Sequence, residues 1–313
     1  MRLKKSVVKN FGAVLLGSVI VLTMSKGVPW IVSGRTQTIQ AKTMIENIAT
    51  LKTEEKYTGI DVVAIGNSDL YSAFNPQQLW DEQGIPSYVA AGPNTNVYTS
   101  LCMLEGVLAC QKPQLVILEV DEFFEKKGIT YLGTATNLAY ENCYGLFSQN
   151  KNLLKCPLIN QYRLTQSRVI SNRGYENIAT SKPYYGKFSY MVPSDQREPV
   201  NAVTEKYLPQ LISLAQEHDC EILFVCMPSA SSWTYAKHNT VSDLADEYGI
   251  PFIDFNVDQY DTGFDWVTDT RDGGNHLNYS GATKMTKYLG KYLQEHYQLS
   301  DHRNDQDYAD WNS

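Results

Sequence analysis

The stretch DVVAIGNSD, residues 61–69, decides the fold and points to the chemistry of this chain. Residues 61–65 form a short, mostly apolar run rich in β-branched side chains, and Gly66 closes it. Such a run is typical of a strand buried on both faces of a parallel sheet. A tight turn at the glycine is expected to expose the hydroxyl of Ser68 at the carboxyl edge of the sheet.

The same rhythm of strand and helix continues along the chain. We expect further strands at 87–91, 115–120, 221–227 and 251–255, and helices from Asn75, at 97–108, at 202–218, near 241–248 and from Ser280. Strands that alternate with amphipathic helices indicate βαβ units. The chain is therefore predicted to form a three-layer α/β/α domain with a parallel, five-stranded, flavodoxin-like sheet, which binds ligands at the carboxyl ends of its strands.

The regions outside this pattern predict the domain organisation. We expect an N-terminal signal anchor at 1–34, a helical stalk at 35–58, a catalytic domain at 59–299 and a disordered tail at 300–313. The long, irregular and tyrosine-rich stretch at about 121–200 interrupts the alternation and is interpreted as an insertion. Its tyrosines suit either stacking on sugar rings or ordinary packing, and the second interpretation is favoured because tyrosines are spread over the whole chain.

The N-terminal segment predicts export. Four basic residues within residues 2–9 precede an apolar run from Phe11 to Met24. The positive-inside rule keeps the basic residues in the cytoplasm, so the rest of the chain is expected on the far side of the cell membrane. No clear small-residue cleavage site follows, and a retained single-pass anchor is favoured over a cleaved signal peptide.

The charge and the cysteine spacing of the chain argue against several classes of partner and cofactor. The 313 residues contain 34 acidic and 27 basic side chains, for a net charge of -7, which disfavours nucleic acid as a partner. Six cysteines follow no zinc or redox spacing and are interpreted as small buried hydrophobic residues. The acidic pair Asp121 and Glu122 is interpreted as a solvated turn. No cofactor and no metal are predicted.

The chemistry is expected to come from Ser68 and His276. A serine hydroxyl needs a base to take its proton, and an imidazole suits this purpose near neutral pH. His276 follows the last predicted strand, in a second loop at the carboxyl edge. Asp272 stands four residues earlier, where its carboxylate can orient the imidazole. The first and last loops of one sheet thus hold the partners that acyl transfer requires.

At these residues the chain resembles the SGNH/GDSL hydrolase family, from about Asp61 to the last helix. The resemblance implies that Ser68 is the nucleophile, His276 the base and Asp272 the third member. It also implies that the backbone N–H groups of Ser68 and Gly92 line the oxyanion hole. The chain departs from the family in two places. Three residues separate Asp272 from His276 where the family usually has two, and a more distant alternative is Asp269.

The second departure concerns the oxyanion hole. The segment after the third strand lacks the Gly-x-Asn block that supplies a side-chain donor in the family, and Asn94 or Asn96 is the expected replacement. Loss of such a donor costs about a hundredfold or more in rate in other enzymes.

The anchor and the motifs look more like the exported branch of the family, which includes proteins of teichoic acid D-alanylation and alginate O-acetylation. The resemblance implies an extracytoplasmic serine esterase that removes acyl groups, above all acetyl, from a cell-envelope polysaccharide. Two alternatives stay open. One is an O-acyltransferase that works with a multispanning membrane acyltransferase, and the other is an inactive glycan-binding protein of the same fold.

Overall fold

The computed structural model describes residues 59–92, 95–108, 111–125, 172–257 and 259–312. The anticipated anchor and stalk, and residues 126–171 of the anticipated insertion, lie outside these ranges. Residues 172–200 of that insertion form turns and extended segments without a helix or strand. Within the described ranges, no helix combines the length and apolar character needed to cross a bilayer.

Five parallel strands form the central sheet. They are β1 (Val62–Gly66), β2 (Ser87–Ala91), β3 (Leu115–Glu119), β4 (Glu221–Cys226) and β5 (Phe252–Asp254). Their order is β2-β1-β3-β4-β5, and every neighbouring pair is parallel. This is the flavodoxin-like order, in which the chain changes direction of growth between β1 and β3.

Six α-helices connect and cover the strands. They are α1 (Ser68–Ala73), α2 (Pro76–Gln83), α3 (Val97–Leu108), α4 (Ala202–Glu217), α5 (Tyr235–Tyr248) and α6 (Tyr279–His296). Short 3₁₀ segments lie at Asp121–Phe124 and Gln306–Asn312. Helix α5 begins earlier than the sequence pattern predicts because Thr234 caps its N-terminus.

Strand β1 shows why the fold has three layers. Successive side chains of a strand point to opposite faces. Val63 and Ile65 pack with α3, α4 and α5, whereas Val62 and Ala64 pack with α1, α2 and α6. Every residue of the strand is buried, as expected for a sheet covered on both sides. The predicted three-layer α/β/α fold is therefore confirmed.

The C-terminal stretch differs from its prediction as a disordered tail. Trp311 and Tyr308 are buried and form a cluster with Trp80 of α2. The ring centroids of Trp80 and Trp311 are 5.2 Å apart, and the Arg173 guanidinium lies 3.7 Å from the Trp311 ring centroid. Three aromatic side chains supply enough apolar area to hold a segment that is otherwise polar.

Candidate active site

Ser68 opens α1 directly after β1. The side chain of Asn67 accepts a hydrogen bond from the Asp69 N–H at 2.9 Å and so caps this helix. Gly66 is the last residue of the strand, and Asn67 alone separates it from α1, so the tight turn lies at Asn67, one residue after the glycine. A Cβ at Gly66 would lie 2.4 Å from Cβ of Glu119, so the glycine permits the close approach of β1 and β3.

His276 bridges the serine and a carboxylate. Its Nε2 lies 2.9 Å from the Ser68 Oγ, and its Nδ1 lies 2.5 Å from an Asp272 carboxylate oxygen. An imidazole that donates from Nδ1 to a carboxylate has its lone pair on Nε2, where it can accept the serine proton. The structure thus brings together the three side chains for which the sequence predicts catalysis.

The four-residue spacing between Asp272 and His276 is accommodated by two glycines. Gly273 and Gly274 have φ of 89° and 97°, in the left-handed region that favours glycine. The turn that they form lets Asp272 Oδ1 accept the backbone N–H of His276 at 2.8 Å and that of Asn275 at 3.1 Å. The extra residue therefore changes the turn and leaves the Asp–His contact intact.

Asp269, the alternative third member, has other partners. Its carboxylate accepts from Lys284 Nζ at 2.7 Å and from Ser280 Oγ at 2.8 Å, and it is fully buried. Its backbone carbonyl accepts from the Asn278 N–H at 3.0 Å. Asp269 therefore ties the His276 loop to the start of α6.

Other contacts fix the His276 loop. Thr270 and Leu277 form an antiparallel bridge, and the Arg271 N–H donates to the His276 carbonyl at 3.0 Å. The Arg271 side chain pairs with Glu176 at 2.7 Å. A base held by backbone contacts on both sides keeps its orientation toward the nucleophile.

Asp272 is held in its ionised form. Burial alone would raise its pKa, but hydrogen bonds from the side chain and backbone of His276 outweigh it and lower the pKa below the ordinary aspartate value. An ionised Asp272 would stabilise an imidazolium formed by proton transfer from Ser68 to His276.

The expected oxyanion residues have different environments. The Ser68 N–H has no hydrogen-bond partner among the described residues and is open to a substrate oxygen. The Gly92 N–H donates to the Gly66 carbonyl at 3.2 Å, so in this arrangement it belongs to the sheet. Asn96 is buried and its Oδ1 accepts from the Thr99 N–H at 3.1 Å, which makes it a helix cap. Asn94 lies outside the described residues.

Buried acids surround the end of β3. Glu119 is fully buried and accepts from the Met227 N–H at 3.2 Å, and burial raises its pKa well above the ordinary value. Burial likewise raises the pKa of Glu122 to about 8, although Ser100 Oγ donates to it at 2.7 Å. Asp121 pairs with Lys237 at 3.0 Å. The expectation of a solvated acidic turn is therefore wrong for Glu122.

A second histidine–carboxylate pair lies elsewhere. His238 is on α5, and its Nδ1 lies 2.7 Å from Asp254 Oδ2. Both residues line a cavity of about 690 Å³ whose described walls include neither Ser68 nor His276. His302 contacts Asp61 and Asp305, and His218 contacts a backbone carbonyl. Among the described histidines, only His276 has a hydroxyl within hydrogen-bonding distance.

Asp69 and Asn275 are site residues that the sequence pattern does not single out. Asp69 Oδ1 lies 4.0 Å from His276 Nε2. Asn275 Oδ1 accepts hydrogen bonds from Ser231 and Ser229, which connects the His276 loop to the loop after β4. Adjacency to Ser68 and to His276 is the sequence signal that points to these residues.

The sheet order and its two helical layers define a three-layer α/β/α fold of the flavodoxin-like type. Solved structures with similarity to this chain include a G-D-S-L family protein from Desulfitobacterium hafniense DCB-2, at 13% identity and a TM-score of 0.43. That match covers 75% of this chain and 100% of the other. A GDSL-like lipase from Bacteroides thetaiotaomicron VPI-5482 matches at 12% identity and a TM-score of 0.37, over 83% of this chain and 98% of the other.

No protein-family model matches this chain, and no curated protein matches it. The roles of individual residues are argued from the distances and burial within this chain.

Proposed function

We propose that the protein is a serine esterase that forms an acyl-enzyme on Ser68. The observation that carries this proposal is the continuous contact from Ser68 Oγ through both nitrogens of His276 to Asp272, at 2.9 and 2.5 Å. Three groups in this order can generate a nucleophile, hold the proton and stabilise the resulting charge.

The reaction proceeds in two halves. His276 Nε2 takes the Ser68 proton while Oγ attacks the ester carbonyl, and the oxyanion of the tetrahedral intermediate accepts the Ser68 N–H. His276 then gives its proton to the leaving alcohol oxygen, which leaves the acyl group on Ser68. A water molecule gives a proton to the same nitrogen and attacks the acyl-enzyme. His276 then returns that proton to Ser68 Oγ as the carboxylic acid leaves, which restores the free enzyme.

Labelling of the full-length, detergent-solubilised chain with a fluorescent phosphonate tests the nucleophile. We expect wild type to label, and Ser68→Ala and His276→Ala to lose labelling by at least about 10³-fold. Ser242→Ala, a serine of α5 on the wall of the separate cavity, is the matched control and should label like wild type. Absence of wild-type labelling, or labelling that survives Ser68→Ala, would refute the proposal.

The proposed substrate is an acylated cell-envelope polysaccharide, with acetyl as the leading acyl group. Support comes from the export-type N-terminal sequence, which puts such polymers within reach, and from the family resemblance. Release of acetate from an O-acetylated glycan supports hydrolysis. Transfer to an unacylated glycan, in the presence of a multispanning membrane acyltransferase, supports the alternative. Labelling without either reaction would refute this substrate class.

A further inference from the structure

The carboxyl group of Asp69, the residue after Ser68, has one buried oxygen that no described residue contacts by a hydrogen bond. Asp69 is 6% exposed, and this oxygen, Oδ1, lies 4.0 Å from His276 Nε2. A buried carboxylate oxygen without a donor is costly, and the cost falls greatly when the group carries a proton. The position therefore favours a neutral acid.

The charges that face Asp69 favour the same form. Besides burial, the carboxylates of Asp121 and Asp272 raise the pKa of Asp69 well above the ordinary value. Glu119 lies behind it at the end of β3. Lys237 is the cation that opposes them, but its ammonium is held by Asp121 at 3.0 Å and by a backbone carbonyl at 2.6 Å. His276, Tyr71 and Cys226 are further titratable neighbours.

The oxyanion needs a further donor. Among the described residues, the Ser68 N–H is open, whereas the Gly92 N–H is committed to the Gly66 carbonyl. Glu119 at the end of β3 and Asp121 just after it are acids, in the segment where the SGNH/GDSL family that this chain resembles has an amide. An ionised carboxylate close to Ser68 would repel the oxyanion, whereas a protonated carboxyl group would donate a hydrogen bond to it.

We propose that Asp69 acts as a protonated acid and donates a hydrogen bond to the substrate oxygen that becomes negative during attack by Ser68. This role rests on the proposed esterase chemistry. The proton stays on Asp69 throughout, so the two half-reactions remain balanced as written above. Ionised Asp69 would also hold the imidazolium of His276 in an ion pair and so compete with the leaving alcohol for its proton.

The test compares substitutions of Asp69 across a pH series with an activated acetate ester. Asp69→Asn keeps the shape and a donor, and we expect its kcat within about threefold of wild type at neutral pH. Asp69→Ala removes the donor, and we expect a loss of about 10²-fold. Wild-type kcat should decline at alkaline pH as Asp69 ionises, and Asp69→Asn should lack this decline.

Glu122→Gln is the matched control for the pH series. Glu122 is also buried and has a pKa raised to about 8, so it too could produce an alkaline decline. Its hydrogen bonds go to Ser100 and Thr95 rather than to the nucleophile. The decline should persist in Glu122→Gln, and its loss there would overturn the assignment to Asp69.

Two further outcomes would also overturn the proposal. Asp69→Asn as inactive as Asp69→Ala would show that an ionised carboxylate is required, and full activity of Asp69→Ala would show that no donor is required. Infrared difference spectra give a readout that does not depend on turnover, because a protonated acid has a carbonyl band that Asp69→Asn should lack. Failure of wild type to label with the phosphonate would refute the esterase proposal, whereas labelling with no such band would refute the role of Asp69 alone.

Discussion

Asp272 shows how one side chain can fix both the position and the tautomer of a base. One carboxylate oxygen accepts from the His276 imidazole and the other from the His276 backbone N–H. Asp272→Asn would let the asparagine NH₂ donate to Nδ1, which puts the imidazole proton on Nε2, where it blocks transfer from Ser68. We expect kcat to fall by about 10²–10⁴-fold, measured by ester hydrolysis.

The control for this prediction is Asp261→Asn, an exposed aspartate in the same long loop, which should leave kcat unchanged.

The pH dependence of stability gives an independent test of the Asp272–His276 contact. Because the folded-state pKa of Asp272 is lowered, its stabilisation is present above the ordinary aspartate pKa and is lost as pH falls. The difference in unfolding midpoint between wild type and Asp272→Asn should therefore shrink in acid. Equal kcat of wild type and Asp272→Asn would contradict the proposed role of Asp272 in orienting His276.

Single residues were predictable where the sequence places them in loops at the same edge of the sheet. Ser68 and His276 follow β1 and β5, and a parallel sheet brings such loops together. The role of Asp69 was not predictable, since burial and a missing hydrogen-bond partner arise only from tertiary packing. The hydrogen bond from the Gly92 N–H to the Gly66 carbonyl was likewise not predictable, because it depends on the register of β1 and β2.

At the scale of elements, the C-terminal 3₁₀ segment is a structural part of the domain. Trp311 is 0% exposed and packs between Trp80 and Arg173. Trp311→Ala should lower the free energy of unfolding by about 3–5 kcal/mol, the usual cost of truncating a buried large aromatic side chain. Urea unfolding followed by circular dichroism measures the change.

Tyr185→Ala is the matched control for the C-terminal segment. Tyr185 is 78% exposed, so its loss removes an aromatic ring without opening a cavity, and we expect a change within about 0.5 kcal/mol. If Trp311→Ala proved as mild as Tyr185→Ala, the segment would behave as the disordered tail that its polar composition predicts.

The elements differed in how visible they were in the sequence. The buried strands were predictable because a short continuous apolar run is typical of a strand that is covered on both faces of a parallel sheet. Helix α1 was missed, since it has only six residues and its start depends on the Asn67 cap. The C-terminal segment was missed because its contacts reach Trp80, more than 200 residues away, and composition alone does not reveal such pairing.

At the scale of the molecule, the site lies where the flavodoxin-like sheet changes its direction of growth. Strands β1 and β3 are central neighbours, and the first helices after them run to opposite faces of the sheet. The crevice at their carboxyl ends is the usual ligand position in such folds. Ser68 occupies this position, and the Glu119 side chain packs against Gly66 at the end of β1. The fold thus exposes the nucleophile while keeping several acids away from water.

The N-terminal segment predicts where this molecule works. Basic residues at 2–9 followed by the apolar run 11–24 predict a membrane anchor with the catalytic domain outside the cytoplasm. Full-length protein expressed in bacteria should sediment with membranes, resist alkaline carbonate extraction, and be digested by protease added to spheroplasts. Leu16→Arg combined with Ile20→Arg should abolish this behaviour, because charges in an apolar run oppose insertion. Soluble wild type in the cytoplasm would contradict export, and a shortened, released form would contradict only the retained anchor.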